Sequence, residues 1–416
     1  MQSQASRIFR DRSKLDESYI PEKLRVRNNE AELLINRYVN RLREGSSSTD
    51  ITLIYGSIGK VGIGKTMLSK FVGRKLEQIT KKIGINFKYV YINVYSAPSL
   101  HQILSLVTVQ LGLGFSVRGS AAIEALKAIT DYLYRKNMNL LVILDEFQSL
   151  LMSPRVSDDH LYLLLRVYEE IPPLDGINRI SFLLVSQDFR VLSLMRERIP
   201  QVESQVGFKL HLRPYTSGEL YEILEQRAEE AFHKNAWDPY MLSLIADSYG
   251  YSEERGGDGS ARKAILTLRM AAEKAEAEGK PRIEESDIRW AISENAAAYI
   301  PLSELRGLNT HKLLILLSVA DLTMSRGGFI TTGLLRDKYV EMCEFYGESP
   351  RGNTQFHTYL KELVTSGLIE ARLSGKGLRG RTTIIRLAPE IPADKFKEAL
   401  ESILLDRAGP GEGRNW

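Results

Sequence analysis

Cysteine is nearly missing from this 416-residue chain, where Cys343 stands alone. One thiol excludes an intramolecular disulfide and any thiolate-rich metal site, and it agrees with a reducing interior. Histidine is scarce as well. The six histidines, at 101, 160, 211, 233, 311 and 357, have no ligand spacing, so no zinc site is expected. No apolar run reaches the length of a membrane span, and charges stand at the N-terminus where a secretory leader would be apolar. Neither an anchor nor a leader is therefore expected. Charge of one sign is not in large excess either. Lys and Arg number 56 against 52 Asp and Glu, a net of +4, so any nucleic-acid partner must be met by local basic patches. What remains is an ordinary globular composition, 43% hydrophobic and 26% charged, at a length suited to two or three domains.

One stretch organises the rest. The apolar run Ile51–Tyr55 leads into Gly59-Lys60-Val61-Gly62-Ile63-Gly64-Lys65-Thr66, and Met67–Val72 continues as a helix. Strand, glycine loop and helix with the spacing G-x-x-x-x-G-K-T describe a phosphate-binding loop. Glycine lets successive backbone N–H groups turn inward onto an anion without a Cβ in the way, and the helix N-terminus points its positive end at the same place. Lys65 is then suited to neutralise β/γ-phosphates and the Thr66 hydroxyl to hold magnesium, with residues 59–67 as nucleotide contacts. The turn into this loop, through Ser57 and Ile58, is longer than usual.

Asn139–Leu144 has the near-continuous apolar character of a strand buried on both faces, and it ends in Asp145-Glu146. Asp145 is expected to hold the magnesium and Glu146 to act as general base on the attacking water. Further strands are expected at 87–94, 180–186 and 208–212. The strand–helix alternation predicts a doubly wound, mostly parallel α/β sheet. Two helices, 98–112 and 121–135, stand where one crossover would suffice, which marks an insertion. Gln187 at the end of 180–186 either bonds the γ-phosphate or water, or is part of a plain turn.

Residues 1–27 are basic, and Tyr19-Ile20-Pro21 through Arg27 mixes an aromatic, a proline and aliphatics suited to packing beside a base. A solvated arm is the plainer alternative. Residues 217–296 read as helices only, at about 217–234, 238–249, 260–278 and 284–297, a lid beside the nucleotide. Arg262, one turn into the third, either reaches a phosphate or is an exposed helix arginine. From 302 the pattern changes again. Helices at 309–325, 331–346 and 353–366 precede strands at 367–373 and 383–387, with a basic hairpin between them. Three helices and such a hairpin describe a winged helix-turn-helix. The expected division is a 1–27 arm, a 28–216 core, a 217–298 lid, a 302–392 winged helix, and a 393–416 C-terminal helix with flexible tail.

These segments together resemble an archaeal member of the replication-initiator family related to the origin recognition complex and its cell-division-control cofactor, within the AAA+ ATPases. Phe9-Arg10-Asp11 and Tyr19-Ile20-Pro21-Glu22, with Arg27, are similar to its adenine-wrapping motif. Arg213-Pro214-Tyr215-Thr216 resembles its strand-to-lid junction, Gly259–Ala264 its second sensor, and Gly367-Leu368-Ile369 with Gly380-Arg381-Thr382 its wing. The resemblance implies ATP/ADP and magnesium as cofactors, with Tyr19, Ile20, Pro21, Arg27, Tyr215 and Arg262 on the nucleotide. Lys65, Glu146, Gln187 and Arg262 would be the catalytic set.

It also implies contacts to duplex DNA at replication origins. Thr354, Gln355, His357 and Lys361 of helix 353–366 would enter the major groove, and Lys376, Arg379 and Arg381 of the wing the minor groove or backbone. Arg118, in the insertion around 112–122, would give a further contact. Other initiator copies and the replicative helicase are implied partners, in a cytoplasmic, nucleoid-associated protein with no membrane. Two departures stand out. Gln187 occupies the first-sensor position, usually Asn, and Gln201 and Gln205 stand where relatives offer an arginine to a neighbouring subunit. Hydrolysis is therefore expected to be slow. Two alternatives stay open: a regulatory switch ATPase whose winged helix binds protein, and a clamp-loader or helicase-like motor, which the missing arginines disfavour.

Overall fold

The computed structural model describes residues 6–113, 122–253, 257–297, 302–326, 330–373, 383–388, 391 and 393–408. Arg118, Lys376, Arg379 and Arg381 lie outside the described residues. The chain divides into two compact units, one ending at Ile283 and the other starting at Glu284.

In the first unit, a short 3-10 turn at Arg12–Leu15 precedes α1 (Asn28–Glu44) and β1 (Asp50–Gly56). Then follow α2 (Lys65–Lys82), β2 (Phe87–Asn93), α3 (Leu100–Leu111), α4 (Ala122–Arg135) and β3 (Asn139–Asp145). Three short helices, α5 (Phe147–Met152), α6 (Asp158–Leu165) and α7 (Val167–Glu170), lead to β4 (Ile180–Asp188). After α8 (Arg190–Arg198) and α9 (Pro200–Gln205), β5 (Val206–Leu212) closes the series. The five strands form one parallel sheet ordered β2-β3-β4-β1-β5. Its three inner strands, β3, β4 and β1, are buried on both faces because helices cover both, while the edge strands β2 and β5 are partly open. Leu53, Val142 and Leu184 serve one cluster, while Ile54, Ile143 and Val185 serve the other with Leu68, Val72 and Leu76 of α2. Burying each of those α2 side chains contributes on the order of 1.5–3 kcal/mol, which fixes the helix whose first residue is Lys65.

The order has one consequence for function. β4 lies between β1, which carries the glycine loop, and β3, which carries Asp145. Whatever ends β4 therefore faces the gap between the two nucleotide signatures.

The first unit continues with α10 (Ser217–Ala231), α11 (Pro239–Tyr249) and α12 (Ala261–Ala277). The helix expected from 217 does start at Ser217. Thr216 is the cap, with Glu219 completing a reciprocal capping box. α6 and α7 do not merge into one helix because they are interrupted at Arg166, whose backbone (φ −117°, ψ 33°) leaves the helical region.

The second unit holds α13 (Glu285–Ala297), α14 (Leu302–Gly307), α15 (Thr310–Arg326), β6 (Ile330–Thr331), α16 (Thr332–Phe345) and α17 (Asn353–Thr365). β7 (Ile369–Leu373), β8 (Thr383–Leu387) and α18 (Ala393–Ala408) complete it. β7 and β8 pair antiparallel as the expected hairpin. The two-residue β6 adds a third strand beside β8, too short to show a period in the sequence. Leu313, Leu317, Tyr339, Phe356, Ile385 and Phe396 centre its core.

Candidate nucleotide site and nucleic-acid interface

The glycine loop runs from the end of β1 to α2. Gly59, Gly62 and Gly64 all have positive φ, at 68°, 72° and 87°. The last two are also positions where other elements press in. A Cβ on Gly62 would stand 2.3 Å from Ser260 Oγ, and one on Gly64 would stand 2.2 Å from Tyr215 Oη. Glycine is thus required twice over, by conformation and by space. The Ala261 N–H donates to Gly62 O at 3.0 Å, and Lys60 Nζ to Gly257 O at 2.7 Å, so the start of α12 is seated on the loop. Ile63 is buried in the α2 cluster, Met67 packs half-buried against it, and Val61 is exposed. The added Ser57 in the lengthened turn hydrogen-bonds His211 of β5 at 3.1 Å.

The two signatures meet at the sheet's carboxyl edge. Thr66 Oγ1 donates to Asp145 Oδ2 at 2.6 Å, and Asp145 is buried. A hydroxyl and a carboxylate this close form an oxygen donor pair suited to magnesium. Burial pulls the Lys65 ammonium below its ordinary pKa, against the pull of Glu146, Asp145 and Asp188, while Arg262 pushes it further down. These interactions bring Lys65, both strand-end carboxylates and Arg262 into one site. Glu146 sits in the left-handed region (φ 57°), a strained position of the kind functional sites retain. Gln187, next to last in β4, lies beside the loop: its backbone carbonyl oxygen is 2.9 Å from where a Cβ on Gly56 would stand, and Lys65 Nζ is 3.2 Å from the same point. Arg262 is more than half exposed and paired with Glu17.

The N-terminal arm bridges helices of this unit. Phe9 pairs with Phe232, and the backbone of Ile8, Arg10 and Asp11 bonds around Ala231 and His233. Arg227 of α10, itself buried, donates to Lys14 O at 2.8 Å and Tyr19 O at 3.2 Å, and its guanidinium carbon lies 4.6 Å from the Tyr19 ring centre. Arg74 of α2 donates to Ile20 O at 3.1 Å and to Pro21 O. Arg27, buried with φ 70°, stacks over Tyr215 at 4.5 Å and donates to Glu30 at 2.8 Å and to Arg213 O. The Tyr19–Pro21 segment is thus pinned to the helix that follows the phosphate loop.

Several members of this site escape sequence reasoning. Tyr91 donates its hydroxyl to Asp145 Oδ2 at 2.7 Å, and burial next to that carboxylate drives its pKa upward, so the phenol keeps its proton. Alternation along β2 puts Tyr91 on the same face as Asn93, but only the register of β2 on β3 reveals the partner. Arg74 and Arg227 sit on amphipathic helices as unremarkable cations. Arg190 grips Asp188 bidentately and holds its carboxyl below the usual range. Arg198 is engaged by Asp158 and the carbonyls of Leu151 and Val156, whereas Arg196 is exposed.

In the second unit, α17 buries Phe356, Leu360 and Leu363 and leaves Thr354, Gln355, His357 and Lys361 exposed. Thr354, His357 and Lys361 fall at helical spacing on one face. Gln355 bonds Tyr359 at 2.9 Å. These residues form a polar surface on the second helix of the helix-turn-helix.

A parallel sheet of this order, with its phosphate loop, strand-end carboxylates and helical lid, followed by a winged helix, defines an AAA+ protein built for a nucleic-acid or protein partner. Family profiles agree: residues 50–192 match the AAA domain, 221–293 the Cdc6 AAA+ ATPase-type lid domain, and 303–399 the CDC6 C-terminal winged helix domain. The ORC1-type DNA replication protein 2 of Aeropyrum pernix is 52% identical over 97% of this chain and 98% of its own length. The solved structure of the Aeropyrum pernix ORC2 protein in ADPNP–ADP complexes is similar with a TM-score of 0.77 and 50% identity, over 96% of this chain and 99% of that one. That of the Aeropyrum pernix ORC1 protein in complex with DNA is similar with a TM-score of 0.60 and 26% identity, over 97% and 100%. The chain belongs to the Orc1/Cdc6 family of ORC1-type DNA replication proteins.

Proposed function

We propose that this chain is an ATP-dependent initiator that binds duplex DNA at replication origins, hydrolyses ATP slowly and helps to load the replicative helicase. The observation that carries the nucleotide half is the pairing of Thr66 with Asp145 at 2.6 Å, flanked by half-buried Lys65 and roofed by the start of α12. Magnesium, when bound, supplies charge neutralisation at the phosphates. Thr66 and Asp145 would hold it, and Tyr91 keeps Asp145 oriented. Lys65 offsets phosphate charge, and Arg262 exchanges Glu17 for phosphate from the lid side. Glu146 takes the proton of the attacking water, with Gln187 hydrogen-bonding nearby. Tyr19, Ile20, Pro21, Arg27 and Tyr215 form the adenine side. Slow hydrolysis is supported by Gln201 and Gln205, which stand where relatives offer an arginine, and by Arg198, which is committed to Asp158 and to structural carbonyls; Arg196 beside it is exposed.

The DNA half rests on the exposed polar face of α17 and on the family. Thr354, Gln355, His357 and Lys361 read the major groove. Lys376, Arg379, Arg381 and Arg118 contact backbone or minor groove. Footprinting on AT-rich intergenic duplex, with and without ATP, tests this half: protection is expected, and Arg379→Ala and Arg381→Ala should each weaken binding on any sequence and reduce the salt slope by about 1. No footprint and no heparin retention would favour a switch ATPase whose winged helix binds protein. For the nucleotide half, Glu146→Gln should keep ATP binding and lose turnover; unchanged turnover would remove Glu146 from the base role.

A further inference from the structure

Gln148 follows the strand-end carboxylates by two residues and lies on α5. Its amide has both ends occupied. The side-chain oxygen accepts from Ser186 Oγ at 2.8 Å and from the backbone N–H of Gln187 at 3.1 Å, both on β4. With two donors on that oxygen, the NH₂ end must face the other way, and there it donates to Glu146 Oε2. An ionised carboxylate only accepts, so the pairing is chemically matched. Ser186 is buried, and the β4 end of the link is therefore rigid.

We infer that Gln148 is a positioning residue for the proposed base, a strut that ties the Glu146 carboxylate to the tip of β4 so that the base and the Gln187 sensor keep one geometry. The inference rests on the reading of Glu146 as the base. Side-chain length and atom type are both needed. Asparagine is one carbon short of spanning the gap. Glutamate accepts from Ser186 and Gln187 equally well, but it has no proton for Glu146 and repels it.

The test is single-turnover ATP hydrolysis by the full chain, with a fluorescent ATP analogue titrated in parallel and the thermal midpoint recorded. Gln148→Ala and Gln148→Glu are each expected to slow hydrolysis about tenfold through loss of orientation, with analogue affinity within about twofold of the parent. Gln148→Glu retains the β4 bonds and so separates positioning from folding. The double variant Glu146→Gln/Gln148→Ala should be no slower than Glu146→Gln alone, because a residue that acts only through Glu146 has nothing left to act on. Parental turnover in either single variant, a further slowing in the double variant, or loss of analogue binding along with turnover would each overturn the assignment. If Glu146→Gln alone leaves hydrolysis intact, the base reading fails first; if it abolishes hydrolysis while Gln148→Ala is silent, only the strut is refuted.

Discussion

The two compact units treat polar side chains in opposite ways. The first buries Arg27, Asp50, Asp145, Asp188, Arg227 and Lys263, with strong charges held against each other or against backbone carbonyls. In the second, the buried polar residues among those described are Asp287, Asn295, His311 and Ser318, inside an otherwise apolar core. Its candidate recognition residues stand outside, on α17. Buried charge is tolerated only where partners compensate it, and in the first unit Asp145 and Asp188, beside Lys65, belong to the nucleotide site while Arg227 and Lys263 hold structure. A long polymer cannot be enclosed in a pocket, and a reader of it needs only a stable core behind an exposed face.

If that contrast is right, substitutions in the first unit should act through occupancy and turnover, and those in the second through salt-dependent affinity. The largest expected effect is Glu146→Gln, a fall of about 10²–10⁴ in single-turnover rate. Next, Lys65→Ala should weaken nucleotide binding about 100-fold, or about 2.7 kcal/mol, by fluorescent-analogue titration. DNA affinity measured without nucleotide should stay put, and a drop there would break the contrast. Arg227→Ala should cost roughly 1–3 kcal/mol, because the carbonyls of Lys14 and Tyr19 lose their donor. A lowered thermal midpoint, with weaker analogue binding partly restored at high ligand, would sharpen the view that the arm belongs to the nucleotide site. Lys361→Ala should weaken DNA binding about threefold to tenfold and lower the salt slope by about 1, with hydrolysis unaltered.

The smallest effect is a pH dependence in the second unit. Burial, helped by the Arg351 charge and opposed by Glu348, holds buried His311 below its ordinary pKa of 6.5, and its Nδ1 meets the Tyr339 hydroxyl at 2.9 Å. A depressed folded value means that the unfolded chain binds the proton more readily. The stabilisation is complete above pH ~6.5 and is lost as pH falls from there through the folded pKa. Urea midpoints at pH 7.5 and 5 should differ in the parent, and His311→Gln should shrink the difference.

Most of the first unit's architecture can be read from the chain because its signals are local. The G-x-x-x-x-G-K-T spacing and the apolar run before Asp145 each lie within a few residues of what they announce, whereas the division at Ile283 and Glu284 falls ahead of a helix that the sequence assigns to the lid. Positions such as Lys65, Thr66, Asp145 and Tyr215 converge because those segments end at one sheet edge. What stayed hidden depends on register and on distance along the chain. Tyr91 becomes a partner of Asp145 only once β2 is aligned on β3. Arg74 and Arg227 look like ordinary surface cations until the arm lies over them. Gln148 reads as a helix residue until β4 brings Ser186 and Gln187 alongside. The short β6 and the broken helix at Arg166 carry too few residues for any periodicity to form.

The arm also sets a timetable for synthesis. Ser6 bonds Glu276, 270 positions later, and the other clasps of the first dozen residues wait for α10 and α12 in the same way. At about 5–20 residues per second, a ribosome needs on the order of ten seconds to a minute to deliver those helices. For that interval Ile8, Phe9 and Leu15, all buried in the finished protein, are bare outside the exit tunnel. The arm, made before the helices that hold it, is therefore the last part of this unit to find its place, and it is where a co-translational chaperone would be needed most.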